Sequence, residues 1–113
     1  MLASRYRLTK RINFARAEID GNLFQSKSFG VEVFNRKDES NSRFGFIIST
    51  KISKKAVIRN KLKRIMSDYI RINLKRIKPG LDIVFLLKPV ATKLSREQIE
   101  KEADEIITKN LQK

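Results

Sequence analysis

The sequence predicts a single α+β domain in which helices pack against one β-sheet. Two observations lead to this class. The apolar pattern changes along the chain between the period of a helix and the period of a strand, and the elements follow in the order helix, strand, strand, helix, strand, helix, without a repeated strand–helix–strand unit. A length of 113 residues is enough for one domain with a modest core. We therefore assign residues 1–113 to one domain.

The first half of the chain supplies one helix and two strands. Asn13 can cap a helix that runs to about Asp20, where a glycine ends it. Phe29–Phe34 alternates as a strand. The polar residues 35–42 indicate a hairpin connection to a second strand, Arg43–Ser49. The side chains predicted to face inward are Phe29, Val31, Val33, Phe44, Phe46 and Ile48.

The second half supplies a long helix, a buried strand and a last helix. Ser53 is expected to cap the long helix, about Lys54–Lys75. Its apolar stripe recurs at helical period and consists of Ile58, Leu62, Ile65, Tyr69 and Ile72. Asp82–Leu87 is apolar almost without interruption, which predicts a strand inside the sheet. Ser95 opens the last helix through a capping box, and the buried side of that helix is Ile99, Ala103, Ile106 and Ile107.

Charge is the strongest functional signal. The chain carries 26 Lys and Arg residues against 12 Asp and Glu residues, a formal net charge of +14. The segment Lys51–Lys78 contains eleven of the basic residues and a single acid, Asp68. Solvated helix faces normally mix the two signs, so this composition favours a polyanionic partner, most simply RNA.

Several other classes of function are disfavoured by composition. The chain has no cysteine and no histidine, so disulfides, thiolate or imidazole metal sites and the commonest general base are all missing. No apolar run approaches the roughly 20 residues that a membrane span needs. The N-terminus lacks the pattern of a secretory signal. We expect a cytoplasmic protein that uses neither a membrane nor a bound metal of its own.

The basic residues of the long helix share a face. With the apolar stripe turned inward, Lys55, Arg59 and Lys63 fall four residues apart in one row, with Asn60 and Arg64 beside it. The like charges of such a row repel one another, which is unfavourable. Phosphate groups bound against the row would make its electrostatic energy favourable. Arginine supplies a planar fork for phosphate oxygens, lysine a mobile charge, and asparagine a partner for a base edge or a 2′-hydroxyl.

The segment Lys54–Arg64 resembles the arginine–asparagine signature helix of the bacterial ribonuclease P protein subunit. Its residues are Lys-Lys-Ala-Val-Ile-Arg-Asn-Lys-Leu-Lys-Arg. Further similarities occur in the family's order and spacing, at Arg7–Phe14, Arg43–Phe46, Ser49–Lys51, Lys78–Phe85 and Leu94–Glu97. The resemblance therefore extends over most of the chain.

The resemblance implies both a fold and a function. The fold would have about four strands and an unusual left-handed βαβ crossover, like a domain of a small-subunit ribosomal protein. The family assists an RNA enzyme that removes the 5′ leader from precursor tRNA. The chemistry belongs to the RNA, with Mg²⁺ bound mainly by RNA and substrate, and the protein is a non-catalytic subunit. The implied partners are the catalytic RNA and precursor tRNA, with no protein partner required.

The resemblance also implies two sets of site residues. The set that would bind the catalytic RNA is Lys51, Lys54, Lys55, Arg59, Asn60, Lys61, Lys63 and Arg64. The set that would bind the single-stranded leader is Phe14, Arg7, Lys10, Arg11, Glu32 and Phe34. The chain departs from the family pattern at Lys61, where arginine is usual, and at Glu18 and Glu32, where aromatic residues are common. Phe34 replaces Glu32 in the leader cleft if the alignment shifts by two residues.

Three other hypotheses fit parts of the sequence. A structural RNA-binding protein, such as a ribosomal component, would share the charge and the fold class. A DNA-binding architectural protein is disfavoured because no helix-turn-helix spacing is present. A protein-only nuclease is disfavoured because a two-metal site needs several converging carboxylates. Binding to ribosomes or duplex DNA, or cleavage by the protein free of RNA, would separate these hypotheses.

Overall fold

A mixed four-stranded sheet organises the molecule. The computed structural model describes residues 2–113, and its helices and strands are α1 (Arg11–Asp20), β1 (Asn22–Gln25), β2 (Phe29–Asn35), β3 (Arg43–Ile47), α2 (Ala56–Ile72), β4 (Leu81–Leu87) and α3 (Arg96–Ile106). The strand order is β1-β2-β4-β3. β4 pairs antiparallel with β2 and parallel with β3. The predicted α+β class is confirmed, and the left-handed sense of the β3–α2–β4 crossover stays a prediction.

The predicted hairpin between β2 and β3 is wrong. β4 lies between these two strands and pairs with both, because its side chains are apolar on both faces and are best buried at the centre of the sheet. Strand β1 was not predicted from its pattern. It has only four residues and pairs with β2 at the sheet edge, and so short a segment shows no clear alternation.

Both predicted helix caps in the first two helices are also wrong. α1 begins at Arg11, preceded by Lys10 at a positive φ of 69°, and the amide of Asn13 donates instead to the carbonyl of Thr9 at 2.9 Å. α2 begins at Ala56, and Ser53 lies in the preceding loop, where its hydroxyl accepts from the amide of Lys55 at 3.2 Å. Lys51 and Lys54 therefore belong to the loop before the helix.

The predicted apolar stripe of α2 is correct over its first four members and wrong at the last. Leu62 and Ile65 are buried, whereas Ile72 is 68% exposed. Steps of four and three average 3.5 residues, so the stripe drifts relative to the 3.6-residue helical turn. Met66 and Ile70 are fully buried in place of the later stripe positions.

The main core lies between the sheet and the pair α2 and α3. Phe85 of β4 is at its centre, with Phe46 stacked at 5.5 Å between ring centroids and Phe29 edge-on at 5.9 Å. The capping box of α3 is present as predicted, with the Ser95 hydroxyl accepting from the amide of Gln98. The acids of α3 are not all solvated, because Glu102 accepts hydrogen bonds from Ser28.

The opposite face of the sheet is covered by α1. Ala17 is the buried residue of this helix, and it packs with Leu8 and Val84. The ring of Phe14 lies directly on Gly45, where an added Cβ would come within 2.5 Å of the ring. Glycine at this position therefore lets the aromatic ring reach the sheet.

The charge cluster around Asp82 fastens α1 to this face. Asp82 is fully buried on β4, and its carboxylate accepts hydrogen bonds from Arg16 of α1 at 3.1 Å, from Arg43 of β3 at 2.8 Å and from Arg36 after β2. Burial alone would raise the pKa of Asp82, but the hydrogen bonds from Arg43 and the nearby guanidinium charges outweigh it and lower the pKa below its usual value of 3.8.

We predict that Asp82→Asn destabilises the protein by about 3 kcal/mol at neutral pH, because the neutral amide leaves the guanidinium groups without their buried counter-charge. The lowered pKa means that the carboxylate contributes stability above pH 3.8, and this contribution is lost as pH falls through the folded-state pKa. Urea unfolding at several pH values measures the difference, which should shrink in acid. The exposed Asp20→Asn is the control. Equal stability of Asp82→Asn and wild type at pH 7 would contradict the prediction.

Candidate nucleic-acid interface

The loop before α2 and the first turns of the helix form a basic surface. Seven of the eight predicted RNA-binding residues are exposed: Lys51, Lys54, Lys55, Asn60, Lys61, Lys63 and Arg64. Val57 lies among them and is 79% exposed. Because Leu62 and Ile65 are anchored in the core, the helix cannot turn this face inward. The structure therefore brings together the charges that the sequence placed on one side.

Arg59, the remaining member of this set, has a structural role as well. It is half-buried, and its guanidinium donates to the carbonyl of Ser53 at 2.8 Å. The contact holds residues 53–55 against the start of α2. The Arg59 guanidinium thus makes a hydrogen bond within the protein. The sequence analysis, which placed Arg59 in an exposed basic row, did not predict this contact.

A small cavity joins the two predicted sets of residues. It measures about 130 Å³ and is lined by Arg7 of the N-terminal segment, Phe14 of α1 and Lys63 of α2, together with residues of β3. The N-terminal segment is held there because the amide of Leu8 donates to the carbonyl of Phe44 at 2.8 Å. Its lining combines two basic side chains with an aromatic ring, a combination suited to a nucleotide.

Beside this cavity, one row of the α1-covered sheet face is open toward the β3 edge. The paired residues Gly30, Leu86 and Ile47 form this open row, in which Gly30 is buried, Leu86 is half-buried and Ile47 is 42% exposed. Glu32 lies on β2 next to it. The sequence reasoning missed this row, although the alternation of β3 could have indicated it. Ile47 is a large apolar residue on the face of β3 that points away from the main core.

The other leader residues fall into two groups. Lys10 and Arg11 are exposed at the start of α1. Phe34 lies toward the Asp82 end of the same sheet face, with the guanidinium of Arg16 over its ring at 4.6 Å from the centroid. In the register of β2, Glu32 is the neighbour of Gly30 on this face and Phe34 lies two residues further along, so Glu32 and not Phe34 lies beside the open row.

Glu32 gives the cleft a pH-sensitive charge. Burial raises the pKa of Glu32 above its usual value of 4.5, and the nearby carboxylate of Glu18 raises it further. Within residues 2–113, no group of three or more His, Cys, Asp or Glu residues is arranged to hold a metal ion. No helix in the same range is long and apolar enough to cross a membrane.

Known proteins resemble this chain over almost its whole length. The sequence model of the family Ribonuclease P matches residues 2–110. The chain belongs to the ribonuclease P protein family. A ribonuclease P protein component from a Cyanothece species is 30% identical over 123 aligned residues, covering 96% of this chain and 94% of the relative. The relative from Clostridioides difficile is 34% identical over 101 residues, covering 88% and 87%.

Solved structures of the ribonuclease P family share the fold. The RNase P protein of Staphylococcus aureus superposes with a TM-score of 0.84 at 26% identity, covering 91% of this chain and 93% of that chain. An RNase P protein from Thermotoga maritima gives a TM-score of 0.83 at 25% identity, covering 91% and 98%. The four-stranded mixed sheet and its helices are therefore the family architecture.

We predict that Glu32→Gln raises the melting temperature at pH 7. A raised folded-state pKa means that the charged carboxylate is disfavoured in the folded protein, so Glu32 lowers stability as pH rises above about 4.5. At pH 4 the carboxyl is largely protonated in both states, so the gain should nearly vanish. Thermal unfolding at the two pH values measures it. The exposed Glu39→Gln is the control, and an equal gain at both pH values would contradict the prediction.

Proposed function

We propose that this protein is the protein subunit of ribonuclease P, which binds the catalytic RNA and the single-stranded 5′ leader of precursor tRNA. In this role it promotes the Mg²⁺-dependent endonucleolytic removal of the leader, which leaves the mature 5′ end. The protein is the non-catalytic subunit of this hydrolase, and the RNA carries out the chemistry. The observation that supports the proposal best is the cavity in which Arg7, Phe14 and Lys63 meet.

The catalytic RNA would lie against the basic surface of α2. The exposed lysines and Arg64 would contact phosphates, and Asn60 would reach a base edge or a 2′-hydroxyl. Arg59 would hold the preceding loop in place through Ser53 and bring Lys54 and Lys55 to the same RNA. Each phosphate contact releases counterions, so assembly should depend strongly on salt.

The leader would run from the shared cavity along the open row of the sheet. Phe14 would stack with a base, and Arg7, Lys10 and Arg11 would neutralise leader phosphates. Glu32 opposes this attraction when it is charged. Because Lys63 belongs to the same cavity, one site would contact both the leader and the catalytic RNA, and this would align the substrate with the active centre.

Mg²⁺ is bound mainly by the RNA and the substrate in this proposal. The protein contributes positive charge where two RNA molecules approach each other, so its effect should be largest when Mg²⁺ is scarce. The proposed compartment is the cytoplasm, and no further protein partner is needed.

The experiment that tests the function is reconstituted cleavage. Adding the protein to a ribonuclease P catalytic RNA should increase cleavage of precursor tRNA at low Mg²⁺, with preference for substrates that carry a leader. In Gly45→Ala the new methyl group displaces the Phe14 ring, so the preference for the leader should fall while RNA assembly is retained. The absence of any effect of wild type on cleavage or precursor affinity would refute the proposal. Binding to ribosomes alone would favour a structural role.

We predict that Arg64→Ala weakens assembly with the catalytic RNA and makes the plot of log K against log salt shallower by about 1, as for one lost phosphate contact. Arg64 is preferred to Arg59 for this test because Arg59 also supports the loop. Lys101→Ala, an equal loss of charge at an exposed position of α3 outside both basic surfaces, is the matched control. An identical salt dependence for Arg64→Ala and wild type would remove Arg64 from the interface.

A further inference from the structure

A second basic pocket lies beyond the C-terminal end of α2. Its volume is about 200 Å³, and the wall includes Tyr6, Asn41, Lys75, Lys78 and Lys113. Arg59 and Ile72 are separated by 13 residues of helix, so the basic surface and this pocket lie roughly 20 Å apart along α2. None of the predicted site residues belongs to the pocket.

The walls of this pocket are fixed by hydrogen bonds between separate parts of the chain. The amide of Lys78 donates to the carbonyl of Leu111, and the amide of Lys113 donates to the carbonyl of Arg76, each at 2.9 Å. The hydroxyl of Ser42 donates to the carbonyl of Lys78 and accepts from the amide of Leu81. Three segments are therefore joined around one concavity.

Tyr6 supplies the aromatic wall. It ends a short 3₁₀ turn, Ser4–Tyr6, whose last amide donates to the carbonyl of Ala3 at 2.9 Å. The ring is half-buried, and the guanidinium of Arg5 lies 4.9 Å from its centroid. Arg5 thus brings a positive charge against the ring that lines the pocket.

The chemistry of the lining matches one nucleotide. Lys75 and Lys78 are exposed cations, Asn41 offers an amide, Tyr6 offers a ring, and the lining contains no Asp or Glu side chain. Ammonium groups bind phosphate, while an aromatic ring and an amide can contact an unstacked base. The volume is below the range of pockets for drug-sized ligands, which suits a single base.

We propose that this Tyr6 pocket binds one unpaired nucleotide of an RNA, with the base against Tyr6 and its phosphate at Lys75 and Lys78. The proposal rests on the proposed function, because it takes the RNA to be part of the ribonuclease P complex. Contacts at both ends of α2 would set the direction in which the RNA runs along the protein, and they would also increase its affinity. The nucleotide comes from either the catalytic RNA or the precursor, and the test distinguishes the two.

The absence of cysteine from the chain allows a site-specific test. Ser40→Cys, which is exposed beside Asn41, would carry a tethered iron chelate in the reconstituted complex with precursor tRNA. Hydroxyl radicals should cut within a few nucleotides of an unpaired position, and the RNA that is cut identifies the source. Val57→Cys is the control for the α2 surface. Cutting from Val57 without cutting from Ser40, or cutting from Ser40 only in duplex RNA, would overturn this inference alone. Cutting from neither position would contradict the proposed function as well.

Affinity measurements separate stacking from charge in the pocket. Tyr6→Leu keeps apolar bulk, and it should lower affinity for the RNA that is cut about tenfold, as expected for one lost aromatic–base stack. Tyr6→Phe should stay within about twofold of wild type. Unchanged circular dichroism shows that both variants fold. Equal affinity of Tyr6→Leu and wild type, or equal losses in the two variants, would overturn the stacking role.

Discussion

The buried carboxylate of Asp82 ties four parts of the chain to one point. Arg16 of α1, Arg36 after β2 and Arg43 of β3 all donate to it, while Asp82 itself belongs to the central strand. Such a network is stable only when its members are present together, because removing one leaves buried charge uncompensated. α1 relies on this network beside its apolar contacts with the sheet, which come from the buried Ala17 and the half-buried Phe14.

The position of α1 in turn determines the geometry of the proposed leader site. With Arg16 held at Asp82, Phe14 lies over Gly45 at the sheet edge and reaches the cavity shared with Lys63. Burial raises the pKa of Glu32, and the same helix places Glu18 near it, which raises that pKa further. A buried charge cluster thus aligns an aromatic ring with a lysine from another helix.

The excess of positive charge lies on the surface, because the apolar residues packed in the core leave the basic side chains facing solvent. The buried residues of α2 hold its basic face outward, and Arg76 and Asp104 pair at 2.6 Å at the far end of the core. Repulsion among the exposed cations remains in the free protein and is relieved when a polyanion binds. The fold therefore presents two basic surfaces, one at each end of α2, and in the proposed function RNA would compensate their charge.

Local chemistry was sufficient to predict the α+β class, the strands β2 and β4, the extent of most of α2, the capping box at Ser95 and the basic face. These features depend on residues within a few positions of one another. The strand order, the edge strand β1, the meeting of Arg7, Phe14 and Lys63, and the partners of Asp82 required the tertiary structure. The arginines of that cluster lie 39 to 66 residues from Asp82 in sequence. Only the pairing of β4 with both β2 and β3 brings such distant residues together. The apolar run of β4 predicted a place inside the sheet, but no local pattern showed which strands would be its neighbours.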